Sequence, residues 1–173
     1  GTTVDLDPSY AQPGETITCT VTATDADGGR DSSSDSVTVD NTAPVVTSVS
    51  ITPSTAVTTA TTLTCSATAE DDDGGTPSIT YAWTNTSTGS SLGAGADLAL
   101  TTSTSSPDDT ITCTATATDS DGGRDTDTAS VTVDNTNPEV TAVSITPSTG
   151  VTTSTELTCT ATATDDDGDT PTI

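Results

Sequence analysis

The chain has 173 residues, two basic side chains against 26 acidic ones, no His, no Met and no Phe, for a formal net charge of −24. A surface of that sign offers nothing to phosphates, which excludes nucleic-acid binding and attachment to anionic membranes, and a chain without His has no histidine general base, no Ser-His-Asp triad and no His-ligated metal. No apolar run approaches the roughly 20 residues needed to cross a bilayer, so no direct membrane insertion of this segment is predicted.

Composition alone matches a disordered chain, because Leu, Ile, Val and Phe together fall below about 20% of the residues while the net charge is large. Repetition and alternation argue the other way. Residues 17–44, ITCTVTATDADGGRDSSSDSVTVDNTAP, return at Ile111 as ITCTATATDSDGGRDTDTASVTVDNTNP, an offset of 111 − 17 = 94. Residues 46–79 return from Val140 at the same offset, 140 − 46 = 94. A period of 94 is too long for a solenoid coil and fits one whole domain of a tandem array. Boundaries belong at Asp40-Asn41-Thr42-Ala43-Pro44 and Asp134-Asn135-Thr136-Asn137-Pro138, where proline interrupts a strand ladder. The division is therefore 1–44, half a domain; 45–138, a complete domain; and 139–173, half of another, as in a window on a longer array.

Within the complete domain the predicted elements are all strands. Val49 and Ile51 lie on the first, ahead of Pro53. Leu63-Thr64-Cys65-Ser66-Ala67-Thr68-Ala69 alternates apolar with polar residues, which places one face on a core and the other in water. Ile79, Tyr81 and Trp83 form the third set, with Tyr81 and Trp83 as core residues; Leu98 and Leu100 form the fourth. Ile111-Thr112-Cys113-Thr114-Ala115-Thr116-Ala117 repeats the alternation, and Val131 and Val133 close the domain. Thr, about a quarter of the chain, favours strands as well. Six or seven short strands with Gly/Asp/Pro turns describe an all-β, two-sheet sandwich.

Cys65 on the second strand, Trp83 on the third and Cys113 on the penultimate one resemble the Cys…Trp…Cys arrangement of immunoglobulin-like domains. The phrases ATDADGG (23–29) and ATDSDGG (117–123), the YAW triplet (81–83) and DNTAP (40–44) are similar to the tandem bacterial and archaeal Ig-like, PKD-like and cadherin-like domains of large surface proteins. The resemblance implies tandem immunoglobulin-like β-sandwich domains, a Cys65–Cys113 bond between the sheets, and an extracellular or cell-surface adhesive or structural role, often with calcium at domain junctions. By the same implication Cys19 and Cys159 pair outside residues 1–173 or with another copy. Four unpaired, buried cysteines are the competing reading, since free Cys packs well in cores.

Carboxylates concentrate in Glu70-Asp71-Asp72-Asp73-Gly74-Gly75 and in Asp119-Ser120-Asp121-Gly122-Gly123-Arg124-Asp125. In an Ig-type sandwich both loops emerge at the pole facing the preceding domain, where the linker with Asp40 and Asn41 also arrives. Asp-x-Asp-Gly supplies alternating oxygens and a turn, as a Ca2+ site wants, and the candidate ligands are Asp40, Asn41, Asp71, Asp73, Asp119, Asp121 and Asp125. The second junction offers Asp134, Asn135, Asp165 and Asp167. Plain turn chemistry explains the same residues. The rows Thr18, Thr20, Thr22 and Thr112, Thr114, Thr116 are solvent-facing strand residues or sites of O-glycosylation, and Asn85-Thr86-Ser87 is an N-glycosylation sequon, read as lying in an exposed loop. The leading function is a non-catalytic segment of an extracellular fibre, filament or stalk whose partners are neighbouring domains or copies of itself; the alternative is a calcium-stiffened spacer of a cell-surface adhesin.

Overall fold

Alternation of Thr or Ser with Ile, Val, Leu, Cys and Ala favours the extended strand, and every regular element of the chain is one. The computed structural model describes residues 1–173 and contains eleven strands and no helix. In order these are β1 (Thr16–Thr24), β2 (Arg30–Thr38), β3 (Val45–Thr52), β4 (Thr62–Glu70), β5 (Ser78–Asn85), β6 (Ser90–Ala94), β7 (Asp97–Ala99), β8 (Thr110–Thr118), β9 (Arg124–Thr132), β10 (Glu139–Thr146) and β11 (Thr158–Thr164). They form four sheets: β1-β2, β10-β11, β3-β4-β7 and β6-β5-β8-β9.

The chain divides into two compact units. The first comprises Gly1–Val49, Ala67–Thr80 and Ala115–Asp127. Its β1-β2 hairpin is antiparallel and in unbroken register from Thr16↔Thr38 to Thr24↔Arg30. Its interior is small: Ala11, Pro44, Val46, Ala115 and Ala117 are buried.

The second unit comprises Ser50–Ser66, Tyr81–Thr114 and Thr128–Ile173. Here lies the main core, with Leu63, Ile111, Val57 and Val133 wholly buried and Trp83 at 1% exposure. The sulfurs of Cys65 on β4 and Cys113 on β8 are bonded, which ties the three-stranded sheet to the four-stranded one; their Cα atoms are 6.4 Å apart. The Trp83 indole buries its ring and still satisfies its N–H, Nε1 donating to the Gly95 carbonyl at 3.0 Å. Tyr81, two residues away on the same face of β5, is only half-buried.

Three details depart from the sequence reading. β6, Ser-Ser-Leu-Gly-Ala, was not anticipated, because it carries no alternation of its own; it exists by pairing with β5 through Asn85↔Ser90 and Ala82↔Ala94, with an irregularity between Trp83 and Thr84. Leu100 and Val133 were read as strand residues, and each lies just past a strand end while remaining buried. Asn85 is the last residue of β5 rather than part of an exposed loop.

The same bonds recur along the chain at the spacing of the sequence repeat. Gly14 N–H donates to Val39 O and Asp108 N–H to Val133 O, both at 2.8 Å, while Val39 and Val133 donate back to Glu15 and Asp109, both at 2.9 Å.

Candidate functional site

The acidic loops owe their shape to one aspartate each. Asp119 Oδ1 accepts from the N–H groups of Asp121 (2.9 Å) and Gly123 (2.8 Å), and Asp25 does the same for Asp27 and Gly29. This is the local side-chain capping for which Asp is favoured in turns. Gly122 sits at φ 95°, in the left-handed region that side chains avoid. A Cβ on Gly123 would lie 2.4 Å from Asp119 Oδ2 and 3.0 Å from Ala43 Cα, so the second glycine serves close approach of the linker. Asp71 and Asp165 cap their loops in the same manner, accepting from Asp73 and Asp167 at 2.9 Å.

In the first unit these turns meet the linker. Asn41 Nδ2 donates to Asp119 Oδ2 at 3.1 Å, the Thr42 N–H donates to Asp73 Oδ2, and the Thr42 hydroxyl reaches Asp73 Oδ1 at 3.3 Å. The Val46 N–H donates to Asp125 Oδ2 at 2.8 Å. Asp71, Asp73, Asp119 and Asp121 line one open cleft together with Gln12 and Pro77. Asp40 stands exposed beside it in sequence. The Asn41 amide holds the Asp119 carboxyl below the usual carboxylate range; desolvation is the next largest effect and opposes it, and the N–H groups of Gly123, Asp121 and Gly122 add to the lowering.

In the second unit the linker residue Thr136 donates its N–H to Asp167 Oδ2, and the Thr59 hydroxyl donates to Asp167 Oδ1 at 3.1 Å. Asp134 N–H donates to the Val57 carbonyl at 2.6 Å, and Asn135 Nδ2 to the Thr136 carbonyl at 2.9 Å. Asp167 is 7% exposed, and Thr136 beside it lowers the pKa of that carboxyl; desolvation opposes, and Thr59 adds to the lowering. Thr59 had not been singled out in the sequence. Its signal was the segment VTTATT, which recurs as VTTSTE at 151–156.

Eleven oxygen-bearing residues were thus anticipated as calcium ligands, and the structure brings Asn41, Asp71, Asp73, Asp119 and Asp121 near one another and Asp167 against the second linker. No group of three or more acidic, Cys or His side chains is placed to hold a metal ion. What the carboxylates do hold is N–H and O–H groups, so each linker is fastened to the acidic loop that follows it in the chain.

The placement of Asn85 in an exposed loop is corrected. Asn85 is 1% exposed; its Nδ2 donates to Asp109 Oδ2 at 2.8 Å and to the Thr104 carbonyl at 3.2 Å, and its Oδ1 accepts from Thr88 N–H at 3.2 Å. The amide is spent on holding two loops. Thr112, Thr114 and Thr116 are half-buried, because β8 has a strand on either side, and Thr112 shares its hydroxyl with Ser130 at 2.8 Å. Their repeat mates Thr18, Thr20 and Thr22 on β1 are exposed.

No helix of the chain is long and apolar enough to cross a membrane. The chain matches no protein-family model, and no curated protein matches it.

Proposed function

We propose that the chain is a structural segment of an extracellular fibre, filament or stalk, built from head-to-tail immunoglobulin-like β-sandwich domains of 94 residues, each stapled by a disulfide between its sheets. The observation that carries this reading is the repeated fastening: Thr42 to Asp73 and Thr136 to Asp167 are the same bond at the same offset, 136 − 42 = 167 − 73 = 94. A junction made twice with the same atoms is a junction that propagates. The work is mechanical. β ladders and the Cys65–Cys113 bond resist extension within a domain, and the Asp-to-linker bonds set the hinge between one domain and the next.

Pulling single molecules of the chain by its two ends tests this. With the disulfide intact, unfolding of the complete domain should release the residues outside the bonded loop, 94 − 48 = 46, or about 160 Å of contour at about 3.5 Å per residue. Under reductant the step should lengthen to about 330 Å for all 94 residues. Smooth extension without a discrete step would overturn the domain reading.

The alternative, a calcium-stiffened spacer of a cell-surface adhesin, draws support from the cleft lined by Asp71, Asp73, Asp119 and Asp121. It requires that millimolar Ca2+ raise the unfolding force and that EGTA reverse the rise. An unfolding force that ignores both leaves the hydrogen-bonded junction as the whole device.

A further inference from the structure

β3 and β9 lie in different sheets, each at an edge, and no ladder joins them. Two bonds do. The Val46 N–H, one residue into β3, donates to Oδ2 of Asp125, one residue into β9, at 2.8 Å. Beyond the far ends of the same strands, the Asp134 N–H donates to the Val57 carbonyl at 2.6 Å. Between these fasteners the edges stand apart across a cleft lined by Ser54, Thr55 and Ala56 on one side and by Ser130, Val131 and Thr132 of β9 on the other.

The second fastener carries strain. Ala56, which aims the Val57 carbonyl, has φ 55°, in the left-handed region where a Cβ is crowded. Its repeat mate is Gly150, which takes the same region, φ 71°, without that crowding. A strained residue persists where the bonds around it fix its place, and one of those bonds here is Val57 to Asp134. The carboxylate of the first fastener recurs with the repeat, since the mate of Asp125 is Asp31.

We infer, on the head-to-tail reading above, that Asp125 is a load-bearing latch: its carboxylate ties the strand by which the chain enters the domain to the strand by which it leaves, and with the Val57–Asp134 bond it resists extension along the array. Both strands run the same way, since Val46 precedes Val57 and Asp125 precedes Asp134. A pull on the linker before β3 and an opposite pull on the linker after β9 therefore slide one strand lengthwise along the other. Sliding loads both fasteners at once instead of opening them in turn. The route through the sheets is longer, from β3 to β4 by one ladder, across the Cys65–Cys113 bond, and from β8 to β9 by another. A charged acceptor makes the stronger kind of hydrogen bond, and Asp125, half-buried at the sheet edge, is partly shielded from competing water.

The test pulls the chain by its two ends at constant force. Loss of one hydrogen bond to a charged acceptor should let the complete domain of Asp125→Ala unfold about ten-fold faster than the parent, with the step of about 160 Å unchanged. Asp125→Asn keeps an oxygen that accepts from Val46 and should stay within about three-fold of the parent. A second pulling geometry separates a latch from a general stabiliser. With handles on Ser91→Cys of β6 and on the C-terminal end, in a Cys19→Ser, Cys159→Ser background, the load bypasses β3, and Asp125→Ala should unfold at the rate of the same background without it. Blue-shifted emission of the buried Trp83 shows that each variant is folded. If the alanine variant is not, Asp125→Ser, whose hydroxyl is too short to reach Val46, replaces it under the same expectations. An unchanged rate in the end-to-end geometry, or equal acceleration in both geometries, overturns the latch. Where that happens while the step of about 160 Å persists, the array reading stands and only the role of Asp125 is lost; smooth extension removes both.

Discussion

The backbone N–H of Thr136 donates to Oδ2 of Asp167, and the Thr59 hydroxyl donates to the other oxygen of the same carboxylate. One side chain thereby holds both the linker and the β3–β4 loop. Thr42 and Asp73 make the linker half of this arrangement in the first unit. Charge is essential to it, since a carboxylate offers two acceptors at once and a protonated acid keeps only part of that capacity.

The first prediction concerns pH. The pKa of Asp167 is lowered in the folded chain, so the stability it contributes is present above the ordinary carboxylate pKa, about 3.9, and is lost as pH falls through the lower folded value. Thermal melts of the parent and of Asp167→Ala should differ at pH 7, the parent being more stable, and the two melting curves should converge as the pH is taken below about 4. A difference that persists undiminished to pH 2 would remove the carboxylate from the junction.

The disulfide is the second. Cross-linking residues 48 apart restricts the unfolded chain by about 4 kcal/mol of loop-closure entropy at 25 °C. A domain of this size has a total stability of about 5–15 kcal/mol, so replacing Cys65 and Cys113 together by Ala should cost a large share of it. Urea titrations of the parent and of the double variant should differ by that amount. Substituting Cys19 or Cys159, which lie on exposed strand faces, should leave the urea midpoint of the central core where it was.

How much of this was legible in the sequence depends on the strand. β4 and β8 announce themselves because Leu63, Cys65, Ile111, Cys113, Ala115 and Ala117 fall on alternate positions and are buried there. β2 and β6 do not, because they are mostly Ser, Asp, Gly or Thr, with one Val on β2 and one Leu and one Ala on β6; such strands are set by the partner's ladder rather than by a face of their own. The Cys65–Cys113 pairing came from resemblance, since spacing alone cannot distinguish two buried thiols from a bond. Asn85 was misread for a related reason: a sequon encodes chemistry and not burial, and nothing local marks Asp109 as the partner that draws the amide inward. Thr59 escaped notice because a threonine among threonines carries no local signal, and its role depends on an aspartate 108 residues away.

The third prediction follows from the single tryptophan. Trp83 is almost wholly buried and donates to Gly95 O. Its emission should be blue-shifted in the folded chain and move to the red on unfolding, giving a clean report on the main core. Trp83→Ala should cost about 3–5 kcal/mol by leaving a cavity. Trp83→Phe keeps much of the ring but gives up the bond to the Gly95 carbonyl, adding about 0.5–1.5 kcal/mol to the packing loss. A phenylalanine variant as stable as the parent would show that the Nε1 bond contributes nothing.

The last prediction concerns Asn85, whose Nδ2 bridges the Asp109 carboxylate and the Thr104 carbonyl in a nearly inaccessible position. Produced in a host that modifies sequons, the chain should leave Asn85 bare, and an intact mass should show no N-linked sugar. Asn85→Gln also removes the sequon, but its longer side chain overfills the site, so both changes can be read in one variant: unchanged mass heterogeneity with a lower melting temperature. Asn85→Asp should be worse, because it sets a second carboxylate 2.8 Å from Asp109 where a donor had been. Like charges so close cannot both ionise without cost, so the aspartate variant should regain stability as the pH falls toward 4 and one of the pair takes up a proton to restore a donor. The opposite slope, with Asn85→Asp losing ground to the parent on acidification, would mean that the two carboxylates had moved apart and that the amide was not the element holding these loops together.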